Sequence, residues 1–164
     1  MANVHEPHFD EPREHPGFRA RRARIGRQAG SERIGASVWE VPPGEAAYPY
    51  HYHLGEEELI VVLEGAPSLR TPAGWRELAA GELLTFPRGE AGAHQLVNRT
   101  DSVVRFLAVS TQGDPDLVFY PDSQKMGGWE RLPQGGGFGG MFRLADQVDY
   151  YEGERPPDTF EPRT

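Results

Sequence analysis

Residues 44–65 read GEAAYPYHYHLGEEELIVVLEG, and the order of polar and apolar residues in that stretch decides the fold. His51 and His53 are two apart in a strand-like segment. On a strand both imidazoles point to one face while Tyr52 points away. Glu58 then opens Leu59 to Leu63, the longest uninterrupted apolar run in the chain. It shares the parity of Ile60 and Val62, which turns its carboxylate inward with them. Leu59–Leu63 is apolar on both parities, so one face fills a core and the other needs a cover. A second subunit, the N-terminal segment or the C-terminal tail could each supply it.

Outward from this stretch, short apolar segments alternate with turn-formers. Ser37–Val41 ends at Pro42-Pro43-Gly44, Glu58–Glu64 at Gly65, and Ser68–Thr71 at Pro72. Trp75–Leu78 leads to Gly81, Leu83–Phe86 to Pro87, and His94–Val97 to Asn98. Val103–Ser110 and Leu117–Tyr120 complete the set. Strands of four to eight residues with Gly, Pro or Asn at nearly every gap describe an all-β sandwich or small barrel. Composition agrees: 20 Gly and 15 Pro in 164 residues are well above the usual share of roughly 12%. Helix signals are poor, and Asp146-Gln147-Val148 reads as part of a short turn.

His94 follows Glu58 by 36 residues, after a hairpin-like excursion. Three imidazoles and one carboxylate, His51, His53, His94 and Glu58, suit a borderline divalent ion: Fe, Mn, Ni, Co, Cu or Zn. Four protein ligands on a metal that accepts five or six leave positions for water or substrate. Glu56 and Glu57 compete with Glu58 in composition, but Glu58 keeps six residues before Gly65.

The pattern Gly44-x6-His51-x-His53-x4-Glu58-x6-Gly65 resembles the first cupin motif, with one extra residue before the first histidine. Gly81-x5-Pro87-x-Gly89-x4-His94-x3-Asn98 resembles the second, with two extra residues before its histidine. The short gap at 66–80 is similar to that of small single-domain bacterial cupins. The resemblance implies a double-stranded β-helix, the cupin or jelly-roll barrel, with the metal near its mouth. It also implies Gly44, Gly65, Gly81 and Gly89 as turn glycines and Asn98 as a turn-fixing residue rather than a ligand. Members include dioxygenases, isomerases, epimerases, decarboxylases, sugar-binding sensors and storage proteins, so fold alone does not settle function.

Three regions follow. Residues 1–30 form a Pro/Arg-rich N-terminal arm, 31–121 the barrel domain, and 122–164 a Gly/Pro-rich C-terminal extension; both ends are expected to be irregular. The arginines Arg19–Arg27 read as a solvated arm. His5, His8 and His15 sit in the same Pro-rich segment and are not assigned to a metal. Tyr48, Phe86, Arg88, Gln95 and Arg105 are neighbours of the site in sequence, and none is assigned a catalytic role.

The chain has no Cys, which excludes thiol catalysis and disulfides. A net charge of −8 disfavours nucleic acid and acidic membranes as partners. No segment reads as a membrane span or signal peptide, and a cytoplasmic location is the default. The expected partners are a small-molecule ligand or substrate and a second copy in a homodimer, the state common among cupins. The leading functional expectation is an enzyme using one metal on a small polar metabolite, isomerase-like, lyase-like or a dioxygenase. The alternatives are a non-catalytic module holding a sugar or organic acid at the metal, and a scaffold whose metal only stabilises the barrel.

Overall fold

The computed structural model describes residues 2–130 and 137–156. Its strands are β1 (Glu11–Arg13), β2 (Ala20–Ala23), β3 (Gly35–Val41), β4 (Tyr52–His53), β5 (Glu58–Glu64), β6 (Ser68–Thr71) and β7 (Gly74–Glu77). They continue with β8 (Leu83–Phe86), β9 (Gln95–Val97), β10 (Val104–Ser110), β11 (Asp116–Tyr120), β12 (Lys125–Trp129) and β13 (Gly139–Arg143). One short α-helix, α1 (Ile25–Gln28), and three single 3₁₀ turns are the only helical pieces among the described residues. No described helix is long and apolar enough to cross a membrane.

Every strand pairing is antiparallel. One wall is a six-stranded sheet in the order β1-β2-β3-β10-β5-β8. The other comprises β13-β12-β11-β4 and β7-β6-β9. Backbone bridges Ala46↔Val97 and His51↔His94 join the segment before β4 to the segment of β9. The result is the all-β double-stranded β-helix that the motifs imply.

Register explains which residues fill it. Phe106 stands opposite Trp39 on one side and Val62 on the other, and Ala108 stands between Ser37 and Ile60. These residues share the inner face, where Trp39, Val41, Ile60, Val62 and Phe106 pack against Leu69, Leu78 and Leu96 of the opposite wall. Burying one such aliphatic or aromatic side chain contributes about 1.5–3 kcal/mol. Glu58 lies opposite Phe86 and Ser110 in the same inner set, as its parity requires.

The outer face of the large sheet carries Val38, Leu63 and Leu107. Ala23 of β2 shares that face, which is covered by Ile25 and by Ala2, Val4 and Phe9 of the N-terminal segment. The arm is therefore one of the three covers the apolar run calls for.

Eight segments read as strands from sequence are strands in the structure, with ends moved by at most two residues; β9 begins one residue after His94. The ends are less irregular than their composition suggests. β2 pairs with β3 in the register Arg22↔Trp39 and Arg21↔Glu40, and β1 pairs with β2. Ala20-Arg21-Arg22-Ala23 has no β-branched or aromatic residue; the open edge of β3 supplies the pairing that intrinsic preference does not. At the other end β12 and β13 extend β11, with Gly128 opposite Gly140 and the Trp129 ring against Gly127. Gly135 and Gly136 of the glycine run, and residues 157–164, lie outside the described residues.

Candidate metal centre

Backbone pairing gathers the imidazoles. His51 and His94 exchange both hydrogen bonds of an antiparallel bridge: His51 N–H donates to the His94 carbonyl at 3.2 Å, and His94 N–H to the His51 carbonyl at 2.9 Å. Their rings lie 4.9 Å apart, and the His51 and His53 rings 5.0 Å apart. Tyr52 between them turns away and stacks on Phe119 at 5.3 Å. Side chains of His51, His53 and Glu58 bring one ligand atom each within 4.8 Å of one another. Glu58 Oε2 is 3.3 Å from His94 Nε2 and 3.5 Å from His53 Nε2. His51, His53 and Glu58 form one group of candidate ligands, and His94 approaches it through Glu58 Oε2.

The other nitrogen of each ring is held from behind. Nδ1 of His51 lies 2.9 Å from the Pro49 carbonyl, and Nδ1 of His94 3.0 Å from the Gly92 carbonyl. Nδ1 of His53 lies 2.7 Å from Asp116 Oδ2. A carbonyl or carboxylate oxygen accepts here, so each Nδ1 carries the proton and each Nε2 presents a lone pair. His94 Nε2 and Glu58 Oε2 are buried without a hydrogen-bond partner. Buried polar atoms are rarely left so, and two orphans facing each other mark a place for a third atom. Two ligand atoms about 2.1 Å from one ion lie roughly 3–3.4 Å apart, which is near the separations seen here. The donor set fits a divalent transition ion.

Electrostatics point the same way. Burial, reinforced by the neighbouring His94 and His53, pushes the His51 pKa well below its ordinary value. Burial brings His94 down to about 4. Both rings are neutral at pH 7, the state that ligates. Burial would lower His53 also, but the Asp116 hydrogen bond and Glu58 raise it. Burial raises Glu58, against the pull of His53.

The residues flanking the motifs have structural work. Phe86 stacks on the His94 ring at 3.9 Å, and Tyr48 meets His51 and His94 edge-on. Gln95 faces away from the site and donates to the Tyr48 carbonyl. Arg105 lies on the outer face, bonded to Glu40, and Arg88 is exposed. Asn98 is wholly buried and donates to the Val41 and Ser102 carbonyls while accepting from Thr100 N–H, a turn residue as the motif implies. Gly65 has φ +81°, and a Cβ there would sit 2.7 Å from Val104 Cγ1, so only glycine closes that turn.

Sequence reasoning missed Asp116, which stands 63 residues from His53 at the start of β11. It is fully buried, and also accepts the Gly55 N–H at 3.1 Å. Beside Pro115 it reads as a turn residue, and only the pairing of β11 with β4 reveals its role.

The cluster opens into a cavity of about 690 Å³, within the usual range for small-ligand sites of roughly 300–1,000 Å³. Trp39, Tyr48, Tyr120 and Trp129 form aromatic walls, and Glu56 and Asp116 line it beside the cluster. Arg13, Arg22, Arg24 and Arg27 also line it. Of the arginine-rich segment expected to be solvated, Arg19, Arg21 and Arg27 are exposed, while β2 adds to β3 and turns Arg22 to the side of Trp39 and into the cavity wall.

Residues 37–110 match the profile of a family described as "Cupin domain". Among solved structures, the chain is similar to a candidate sugar phosphate isomerase from Acidithiobacillus ferrooxidans. Identity is 26%, TM-score 0.73, and 82% of each chain is covered. A sugar phosphate isomerase of the cupin superfamily from Silicibacter pomeroyi has TM-score 0.76 at 24% identity, with 93% of this chain and 98% of that one covered. The polyketide cyclase RemF from Streptomyces resistomycificus has TM-score 0.57 at 28% identity, with 71% and 82% covered. No functionally curated protein matches the sequence.

Proposed function

We propose, from the premise that this chain carries a small cupin-type domain, that it is a metal-dependent enzyme acting on a small polar carbonyl metabolite. The reaction class is isomerisation. His51, His53, Glu58 and His94 hold one divalent transition ion. The observation that carries this reading is three neighbouring histidines with Nδ1 anchored, of which His53 and His94 turn Nε2 toward the half-buried Glu58 carboxylate. The likeness to the Acidithiobacillus protein supports isomerisation over the other cupin chemistries.

When bound, the ion supplies Lewis acidity, which polarises a carbonyl and stabilises negative charge on its oxygen. The chain supplies the rest. Asp116 fixes the His53 ring through Nδ1 and is itself tied to Gly55 N–H, so it is spent on positioning. Glu56, which lines the cavity, is assigned the transfer of a proton between adjacent carbons of the substrate. Burial, with Glu58 nearby, raises the Tyr48 phenol well above its ordinary value, and burial raises Tyr120. Both remain protonated and serve as hydrogen-bond donors or walls rather than bases. The aromatic walls exclude water from the reacting end.

The aromatic lining favours one second reading, a cyclase-like site for a flatter, less polar substrate, in keeping with the likeness to RemF. Elemental analysis of protein purified anaerobically tests the main reading. Expected is near one divalent ion per chain, lost in the His51→Ala/His94→Ala double variant, with metal-dependent aldose–ketose interconversion lost in Glu56→Gln at unchanged metal content. Wild-type protein that takes up no Fe²⁺, Mn²⁺, Ni²⁺, Co²⁺, Cu²⁺ or Zn²⁺ would rule it out.

A further inference from the structure

We propose that Arg13, Arg22, Arg24 and Arg27 form an anion subsite that takes the phosphate monoester end of the substrate, so that the N-terminal arm is part of the active site. The assignment of that anion to a substrate rests on the reading of the His/Glu cluster as the reacting end.

Strand register builds the subsite. Arg22 stands opposite Trp39 on β3 and Glu11 on β1, so all three share the inner side of the sheet. Arg13 is two residues from Glu11 on β1 and takes the same side, and Arg24, just past the end of β2, lines the same cavity. The guanidiniums of Arg13 and Arg22 lie over the Trp39 ring at 4.7 and 5.1 Å, and Arg22 Nε donates to Ser37 Oγ at 3.0 Å. Trp39 in turn meets Tyr48, which touches His51. The arginines and the histidines are therefore two ends of one cavity.

Charge within the arginine end is unbalanced. Glu11 lies 3.6 Å from Arg13, 3.6 Å from Arg22 and 3.3 Å from Arg24, and Asp10 reaches Arg24 at 4.0 Å. Arg13, Arg22 and Arg24 share Glu11 and Asp10, Arg27 lines the same cavity, and Glu58 also acts on Arg22, which leaves net positive charge for an anion. Glu11 Oε2 and Arg24 Nε face each other at 3.3 Å as a buried ion pair that does not reach hydrogen-bond geometry. Burial, with the adjacent Arg13 and Arg24 charges acting against the pull of Glu11, lowers the Arg22 pKa, and an incoming anion relieves that repulsion. Arginine is suited to the task because its planar fork meets phosphate oxygens two at a time. The opposite end carries Glu56, Glu58 and Asp116. A phosphate is repelled there and drawn to the arginines, which points the carbonyl end of the substrate at the His/Glu cluster.

The test is isothermal titration of the full chain, stripped of metal by a chelator, with inorganic phosphate and separately with malonate. Phosphate binding is expected in wild type and at least about tenfold weaker in Arg24→Gln and Arg22→Gln. Arg22 carries the Ser37 contact and its variant could unfold, so Arg13→Gln, on a partly exposed side chain, is measured beside it with a melting curve for each. In metal-loaded protein, a hexose 6-phosphate should bind at least about tenfold tighter than the free hexose, and Arg24→Gln should erase that difference while metal content stays the same. No phosphate binding at about 10 mM, folded variants that bind phosphate as wild type does, or malonate binding as tightly as phosphate would each overturn the assignment. Phosphate binding that is lost in the variants of a protein that takes up no metal would uphold the subsite while the metal reading fell.

Discussion

The two ends of the cavity are built in opposite ways. The His/Glu end comes from residues 51–94, on or beside strands of the barrel, and each ring is braced by a carbonyl two residues away or by a buried carboxylate. The arginine end comes from residues 13–27, which reach the cavity only because β2 adds to the edge of β3. One end is rigid because local backbone and core packing hold it. The other depends on a docked segment, tied on its outer side by Arg21, which bonds Glu40 of β3; Arg105 of β10 holds the same carboxylate. The difference teaches that damage to one end should leave the other measurable.

The largest effect separating them is expected from Asp116→Asn. It keeps an oxygen for Gly55 N–H but loses the charge behind His53. Loss of such a bracing carboxylate lowers metal affinity by about 10–100-fold. Competition with a chelating dye would measure this, and phosphate affinity should not change. Equal losses of both ligands would show that the two ends are one cooperative unit.

Glu40→Gln should act on the arm. Removing a carboxylate shared by two guanidiniums is expected to cost about 1–3 kcal/mol in global stability, read by urea denaturation. Protease sensitivity should rise first within 11–27, and metal content should stay at wild-type level.

A smaller effect follows from pH. Burial alone would raise the Glu40 pKa, but hydrogen bonds from Arg21 and Arg105 and their charges hold it below the usual 4.5. The unfolded chain therefore binds this proton more readily than the folded one. The stabilisation is fully present above about pH 5 and declines as pH falls below 4.5 through the folded value. The melting temperature of wild type should drop more steeply across that window than that of Glu40→Gln. Parallel curves would show that Glu40 does not clamp the arm.

Particular residues show how far the sequence could be read. His51 and His53 were legible because a period of two is local, and Glu58 because it shares the parity of Ile60 and Val62. His94 was legible through the spacing of its motif. Asp116 was not, because a carboxylate next to a proline has the same local appearance whether it faces solvent or a histidine 63 residues away. Arg22 was not, because its segment lacks β-forming residues and its conformation is imposed by the strand it joins.

The sequence by itself determined the all-β class and the strands of the barrel, and it singled out His51, His53, Glu58 and His94 as candidate donors. Each of these follows from short-range alternation, turn chemistry and motif spacing. Only the tertiary structure decided that the arm closes the outer face and lines the cavity, that Asp116 braces His53, and that arginines and carboxylates line one space. Those facts depend on pairings between segments far apart in the chain, whose energy comes from burial and charge that exist only once the sheet has formed.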